Sequence, residues 1–209
     1  MQINSDNIIK DAQRLRGAGD DIKSRKTGDG EGKTSPANRQ LEVSLDQMNV
    51  NLRTHQQTVA RLQLESIGLD QIERGIEFII KNNPGDYEDL RRAMNETRAA
   101  ADATRFQQQP LVPQSLREAL YGDLLEPGTT LAAKALLDDR KTEIDTSLKQ
   151  EFEQISKIQV SFENFQSLNI PLEGKAQSVV ADLKEQLVLQ RQLVQSPMDP
   201  ATVMNLLRA

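Results

Sequence analysis

The chain has 209 residues, of which 27% are charged and 3% aromatic, with no tryptophan and no cysteine, and its formal net charge is -5. With a pI near 5.1 and a mean hydropathy of -0.58, this composition excludes disulfides, thiolate nucleophiles and cysteine zinc sites. It also argues against nucleic acid, which needs a basic surface to release counterions, and leaves little bulky apolar material for a wide globular core.

No apolar run approaches the roughly 20 residues needed to span a bilayer. Met1-Gln2-Ile3-Asn4-Ser5-Asp6 is polar and lacks the apolar core of a signal peptide. Export is therefore expected to use a route that reads no cleaved signal. Ser5 or Asp6 can cap a short helix through Ile8, Ile9, Ala12 and Leu15 that stops near Gly17. From Gly17 to about Asn38 the chain is rich in Gly, Lys, Asp, Ser and Thr, with Ile22 as its one large apolar residue. Such a segment cannot bury enough surface to offset its ordering entropy, so it is expected to be flexible.

Pro36 leads into a long helix whose apolar positions are Leu41, Leu45, Met48, Leu52, Val59 and Leu62, with His55 filling the gap. Steps of 4 and 3 alternate through this stretch, which is a heptad seam. Beyond Leu62 the phase changes, and Leu69, Ile72, Ile76 and Ile79 continue the stripe. Gly68 and Gly75 fall in this part, where a bend or the close approach of a neighbouring helix is expected. Asn82-Asn83-Pro84-Gly85 ends the helix. Asp86 caps the next one, whose stripe is Tyr87, Leu90, Met94, Thr97, Ala101 and Thr104. The short connection predicts an antiparallel hairpin over 39–106, with the Tyr87–Thr104 stripe covering the Leu41–Leu62 seam.

Pro110, Pro113, Gly122, Pro127 and Gly128 punctuate 107–130, which reads as a loop region with one short helix through Leu116, Leu120 and Leu124. A further helix over 131–169 carries Leu137, Ile144, Leu148, Phe152, Ile155, Phe162 and Phe165, until Asn169-Ile170-Pro171 breaks it. A last helix carries Val180, Leu183, Leu187 and Val194, and an apolar tail follows Pro200. The fold class is all-α: an elongated antiparallel bundle of three to four long coiled-coil-like helices with a flexible N-terminal segment. The expected domains are 1–38, a short helix plus flexible segment; 39–169, the bundle core; and 170–209, a C-terminal helix and assembly tail.

The chain offers little chemistry. His55 is the only histidine and sits at a seam position, where a polar residue sets register. Asp138-Asp139 and the acidic residues at 151–153 read as solvated faces. Gly28 lies five residues before Lys33, one short of phosphate-loop spacing, and no apolar strand precedes it. There is no G-x-S-x-G element and no Lys/Arg-rich helix face joined to Trp or Phe for a membrane surface. No catalytic residue, metal site, cofactor, nucleic acid or membrane insertion is predicted.

Several segments, in order, resemble the bacterial flagellin and hook-associated axial protein family. Met1-Gln2-Ile3-Asn4, followed by Ala12-Gln13-Arg14, resembles the opening M-x-I-N … A-x-R. Thr58 to Ile80 is similar to the first core helix of the family. Thr104-Arg105-Phe106-Gln107-Gln108-Gln109-Pro110-Leu111-Val112 resembles the closure T-x-F-N-G-x-x-L-L, with Gln107-Gln108 where the family has Asn-Gly. Leu187 to Arg208 resembles a terminal helix that finishes P-x-x-V-x-x-L-L-R. The family's L-S-S-G-x-R-I-N-S segment is replaced by the Gly/Lys/Asp-rich stretch at 17–40, and the chain has no room for outer domains. These departures point to a minor axial component.

The resemblance implies a structural subunit of a flagellar or flagellum-like filament, acting by helix-mediated polymerisation. Its partners would be copies of itself or other flagellar axial proteins, and it would lie in an extracellular or periplasmic flagellum. The expected assembly residues are Ile3, Ile8 and Ile9 at one end, and Leu183, Leu187, Val194, Val203, Leu206 and Leu207 at the other. The alternative is a soluble cytoplasmic helical adaptor or export chaperone that binds a partner helix in a groove.

Overall fold

A computed structural model describes residues 36–168, 170, 172 and 174–195; within the helices, the side chains of 36–38 and 189–195 are left aside. Among the described residues the fold is all-α. It has helices α1 (Pro36–Asn82), α2 (Tyr87–Ala103), α3 (Gln114–Tyr121), α4 (Pro127–Ser167) and α5 (Lys175–Gln195), with one two-stranded ladder, β1 (Arg105–Phe106) and β2 (Gln109–Pro110), between α2 and α3. The expected flexible segment and short helix at 1–35 lie outside the described residues.

The sequence signals account for most boundaries. Proline is the first helical residue of both α1 and α4, where its missing N–H costs nothing. Asp86 caps α2, its Oδ1 accepting from Glu88 N at 2.8 Å. Residues 107–130, expected to be mainly loop, hold β2, α3 and the first turn of α4. In the β1–β2 hairpin Arg105 pairs with Pro110 and Phe106 with Gln109. The two-residue turn between them puts Gln107 at φ 48° and Gln108 at φ 66°. Positive φ at both positions is the signature of a type I′ turn, whose twist matches that of the strands.

The contacts form two compact units that cut across the expected domain boundaries. Among the described residues, one unit holds 36–56 of α1, 152–167 of α4 and α5. Its buried side chains include Leu41, Leu45, Met48 and Leu52 of the seam, Ile155, Phe162 and Phe165 of α4, and Ala176, Val179, Val180, Leu183 and Leu187 of α5. The rings of Phe162 and Phe165 stack with centroids 6.4 Å apart. Lys175 pairs with Asp46, and Gln56 Nε2 donates to Gln186 O at 3.2 Å, so α5 runs parallel to α1.

The other unit holds 57–151. Its core joins Leu62, Leu69, Ile72, Ile76 and Ile79 of α1 to Leu90, Ala93 and Ala101 of α2, Val112, Leu116, Leu120 and Leu124 around α3, and Ala133, Leu137 and Ile144 of α4. Here the expected pairing is corrected. The α2 stripe covers Leu62–Ile79, not Leu41–Leu62. The reason is length: α2 has 17 residues against 47 in α1, or about 25 Å against about 70 Å at 1.5 Å per residue. Folding back from Asp86, it reaches only the second half of α1.

Gly68 and Gly75 are where α2 comes closest. A Cβ on Gly68 would stand 2.0 Å from Thr104 Oγ1, and one on Gly75 would stand 1.9 Å from Thr97 Oγ1. Both threonine hydroxyls donate back to their own helix, to Ala100 O and Ala93 O at 2.7 Å, so neither is left unpaired in the contact. Glycine twice at heptad spacing on α1 thus meets threonine twice at heptad spacing on α2.

In a free helix Gly75→Ala would gain about 1 kcal/mol. Here the added methyl overpacks the contact at a cost of about 1–3 kcal/mol. Urea unfolding should therefore show Gly75→Ala to be less stable than the parent, and the added change Thr97→Ala should recover most of the loss.

Candidate functional site

Two features stand out from the helical packing: a layer of charge between α1 and α4, and an open groove between α1 and α2. The charged layer begins at a position the apolar pattern skipped. Between Leu62 and Leu69 the seam position is Glu65, and its side chain is fully buried (0% exposed). Counting it, the steps from Val59 run 3, 3, 4, 3, 4, 3, so the phase change of α1 falls on a buried carboxylate. Arg140 occupies the matching place on α4, between buried Leu137 and Ile144. Its Nε donates to Glu65 Oε1 at 2.6 Å and its Nη2 to Oε2 at 2.9 Å, a two-pronged clasp, while Nη1 reaches Glu143 at 2.8 Å.

A turn or two along α1, Glu73 accepts from Lys134 at 2.7 Å and from Lys141 at 2.5 Å. Lys134 also reaches Asp138, and Lys141 reaches Asp70, each at 2.7 Å. These bonds shift the titration of their members in one sense. The lysine hydrogen bonds, that of Lys134 first, hold the Glu73 carboxyl below the usual carboxylate range. Asp138 and then Glu73 raise Lys134, Asp70 and then Glu73 raise Lys141, and Glu65 is the main group raising Arg140. Every group is driven further into its charged form, which is the chemistry of a lock and not of a proton relay.

The groove lies on the other flank of α1. It has a volume of about 650 Å³. Gly75, Ala93 and Phe78 provide its apolar surface, and Arg74, Asp89 and Arg92 are among the charged groups around it. Phe78 is 43% exposed there. Near the far end of α2, Arg98 donates to Leu120 O and Gly122 O, both at 2.9 Å, and lies 5.7 Å from the centre of the Tyr121 ring. A cation on the last carbonyls of α3 pins that helix to α2. The Tyr121 hydroxyl donates to Asp102 at 2.5 Å, which pushes its pKa up.

Of the expected assembly residues, Leu183 and Leu187 are buried in the chain's own packing. Val194 falls within α5, with its side chain outside the described set. Ile3, Ile8, Ile9, Val203, Leu206 and Leu207 lie outside the described residues. His55 is half-buried, with Leu52 and Val59 buried to either side of it on the seam. Among the described residues no group of three or more His, Asp or Glu side chains is arranged to hold a metal ion, and no helix is long and apolar enough to cross a membrane. The sequence reading passed over Glu65 and Arg140. The signal for them was present, since each is a charged residue on a seam position whose neighbours three and four residues away are Leu or Ile. No family model, curated protein or solved structure matches the chain.

Removing one partner of the clasp leaves the other charge without its counter-ion in the core, which costs about 3–5 kcal/mol. Arg140→Ala should lose roughly that much in chemical denaturation, while the double change Glu65→Leu/Arg140→Met should recover most of it. A second test follows from Glu73. Its folded pKa lies below its unfolded value, so its contribution is present above the unfolded pKa and is lost as pH falls through the folded one. Thermal stability should drop on acidification through the carboxylate range, and Glu73→Gln should flatten that limb while lowering stability at neutral pH.

Proposed function

We propose that this chain is a structural subunit of a bacterial flagellar or flagellum-like filament, assembling through its two terminal segments around a helical body. The observation that carries the reading is the segment Thr104–Val112. Where the family motif has Asn-Gly, Gln107 and Gln108 both take positive φ in a two-residue hairpin turn, the conformation for which Asn-Gly is favoured. Thr104, the first residue of the motif, is buried against Gly68. Leu111 and Val112, at the Leu-Leu positions, are buried too, and Leu111 N donates to Thr104 O at 3.0 Å. The positions that match the motif are thus the ones with backbone or packing duties.

In this mechanism the body is pre-assembled and the ends polymerise. Leu183 and Leu187 hold α5 in the body. Ile3, Ile8 and Ile9, with Val194, Val203, Leu206 and Leu207, supply the apolar contacts between neighbouring subunits or with other axial proteins. The protein is exported without a cleaved signal and acts outside the cytoplasm. A second reading, a cytoplasmic adaptor or chaperone for a partner helix, is favoured by the α1–α2 groove with its exposed Phe78.

Deleting residues 197–209 separates the two. Loss of self-assembly in sedimentation with undiminished helicity of the body supports the filament reading. Unchanged assembly, or a full-length chain that stays monomeric at every concentration, overturns it. Co-purification with sheared flagella supports the filament reading, and retention in the cytosol supports the adaptor.

A further inference from the structure

The groove between α1 and α2 has a candidate occupant in the same chain. Asp199-Pro200-Ala201-Thr202-Val203-Met204-Asn205-Leu206-Leu207-Arg208 has the pattern of a short amphipathic helix. Asp199 is a capping residue and Pro200 suits the first helical position. At 100° per residue, Val203, Met204, Leu206 and Leu207 share one face, with Ala201, Thr202, Asn205 and Arg208 on the other. A helix this short is marginal alone in water and needs a surface to cover its apolar stripe. The groove offers such a surface: Phe78, Ala93 and Gly75 line it, with exposed Arg74 and Asp89 towards either end.

We infer that residues 199–208 dock in this groove, with Leu207 and Val203 over Phe78, Arg208 at Asp89 and Asp199 towards Arg74. Reach permits it. α5 runs parallel to α1 with Gln186 beside Gln56. The first groove residue on α1, Gln71, is fifteen positions further along the same helix, or about 22 Å. The fourteen residues from Gln186 to Pro200 span about 21 Å even when wholly helical, and more when extended. Direction agrees with charge, because a tail running the way α1 runs brings Arg208 to the end of the groove where Phe78 and Asp89 lie. A connection of a few residues after α5 makes the effective concentration of the tail at the groove of order millimolar, so modest intrinsic affinity suffices to fill it. The inference rests on the groove and the tail pattern alone, and stands or falls separately from the filament reading. In a monomer it would cover the apolar tail residues until something displaces them.

The native chain has no cysteine, so paired cysteines report the contact directly. Phe78→Cys/Leu207→Cys and Arg92→Cys/Leu206→Cys, in the full-length chain at low concentration, are compared under mild oxidation with Val43→Cys/Leu207→Cys. Val43 is exposed on the same helix, thirty-five positions from Phe78. Both groove pairs should close into intramolecular disulfides at least about tenfold faster than the control, as local concentration requires, and Asp89→Arg should slow them. Equal rates for groove and control pairs overturn the proposal. So does cross-linking that yields only covalent dimers, which would make a second copy the occupant. Should Phe78→Cys perturb folding, the Arg92 pair, which changes an exposed side chain, carries the test.

Discussion

The pairing of α1 with α4 over residues 57–151 depends on one buried ion pair. Glu65 has no exposed surface, and its two oxygens are held by two nitrogens of one guanidinium. A carboxylate in that place without its partner would carry a desolvation cost of several kcal/mol, so any sliding of α4 along α1 by one turn is penalised. Apolar stripes do not impose this, because Leu and Ile tolerate each other in several registers. The pair sits where the heptad steps of α1 change phase, which is where apolar packing alone specifies least. Glu73 with Lys134 and Lys141, and Asp70 with Lys141, repeat the same helix-to-helix pairing nearer the surface. There solvent screening makes each contact weaker.

On the opposite flank of α1 the constraint is steric. Gly68 and Gly75 let α2 approach until threonine hydroxyls lie where a Cβ would otherwise stand. Thr104 ends α2 and begins the β1–β2 turn, so the close approach also fixes where the chain reverses. Arg98 then fastens α3 through the carbonyls of Leu120 and Gly122. Charge sets one flank of α1 and backbone proximity sets the other. Both devices are spaced along a single helix, and that helix supplies residues to both compact units.

The same division shapes the functional reading. The strongest electrostatic cluster drives every member towards full ionisation, which suits a load-bearing joint better than acid–base chemistry. The groove beside Gly75 exists because α1 and α2 are held so close that small residues line its floor. A body built this way presents surfaces to helices, whether these belong to its own tail, to another copy or to a different partner.

Much of this was legible in the chain itself. Period and punctuation gave the seam from Leu41 to Leu62, the stop at Asn82-Asn83-Pro84-Gly85, the cap at Asp86 and the break after Leu168, because these depend on local backbone preference and on which face is apolar. The two glycines gave notice of a close approach without saying which helix would make it. Tertiary structure decided the partners. The α2 stripe meets Leu62–Ile79 because a 17-residue helix cannot span a 47-residue one, and in the compact units Leu41–Leu52 groups with α5 and the Phe-bearing end of α4. It alone decided that Glu65 is buried, since its partner Arg140 is 75 residues away. Periodicity reports which side of a helix seeks cover, but a charge can stay in that cover only when another element, distant in sequence, brings the opposite charge to it.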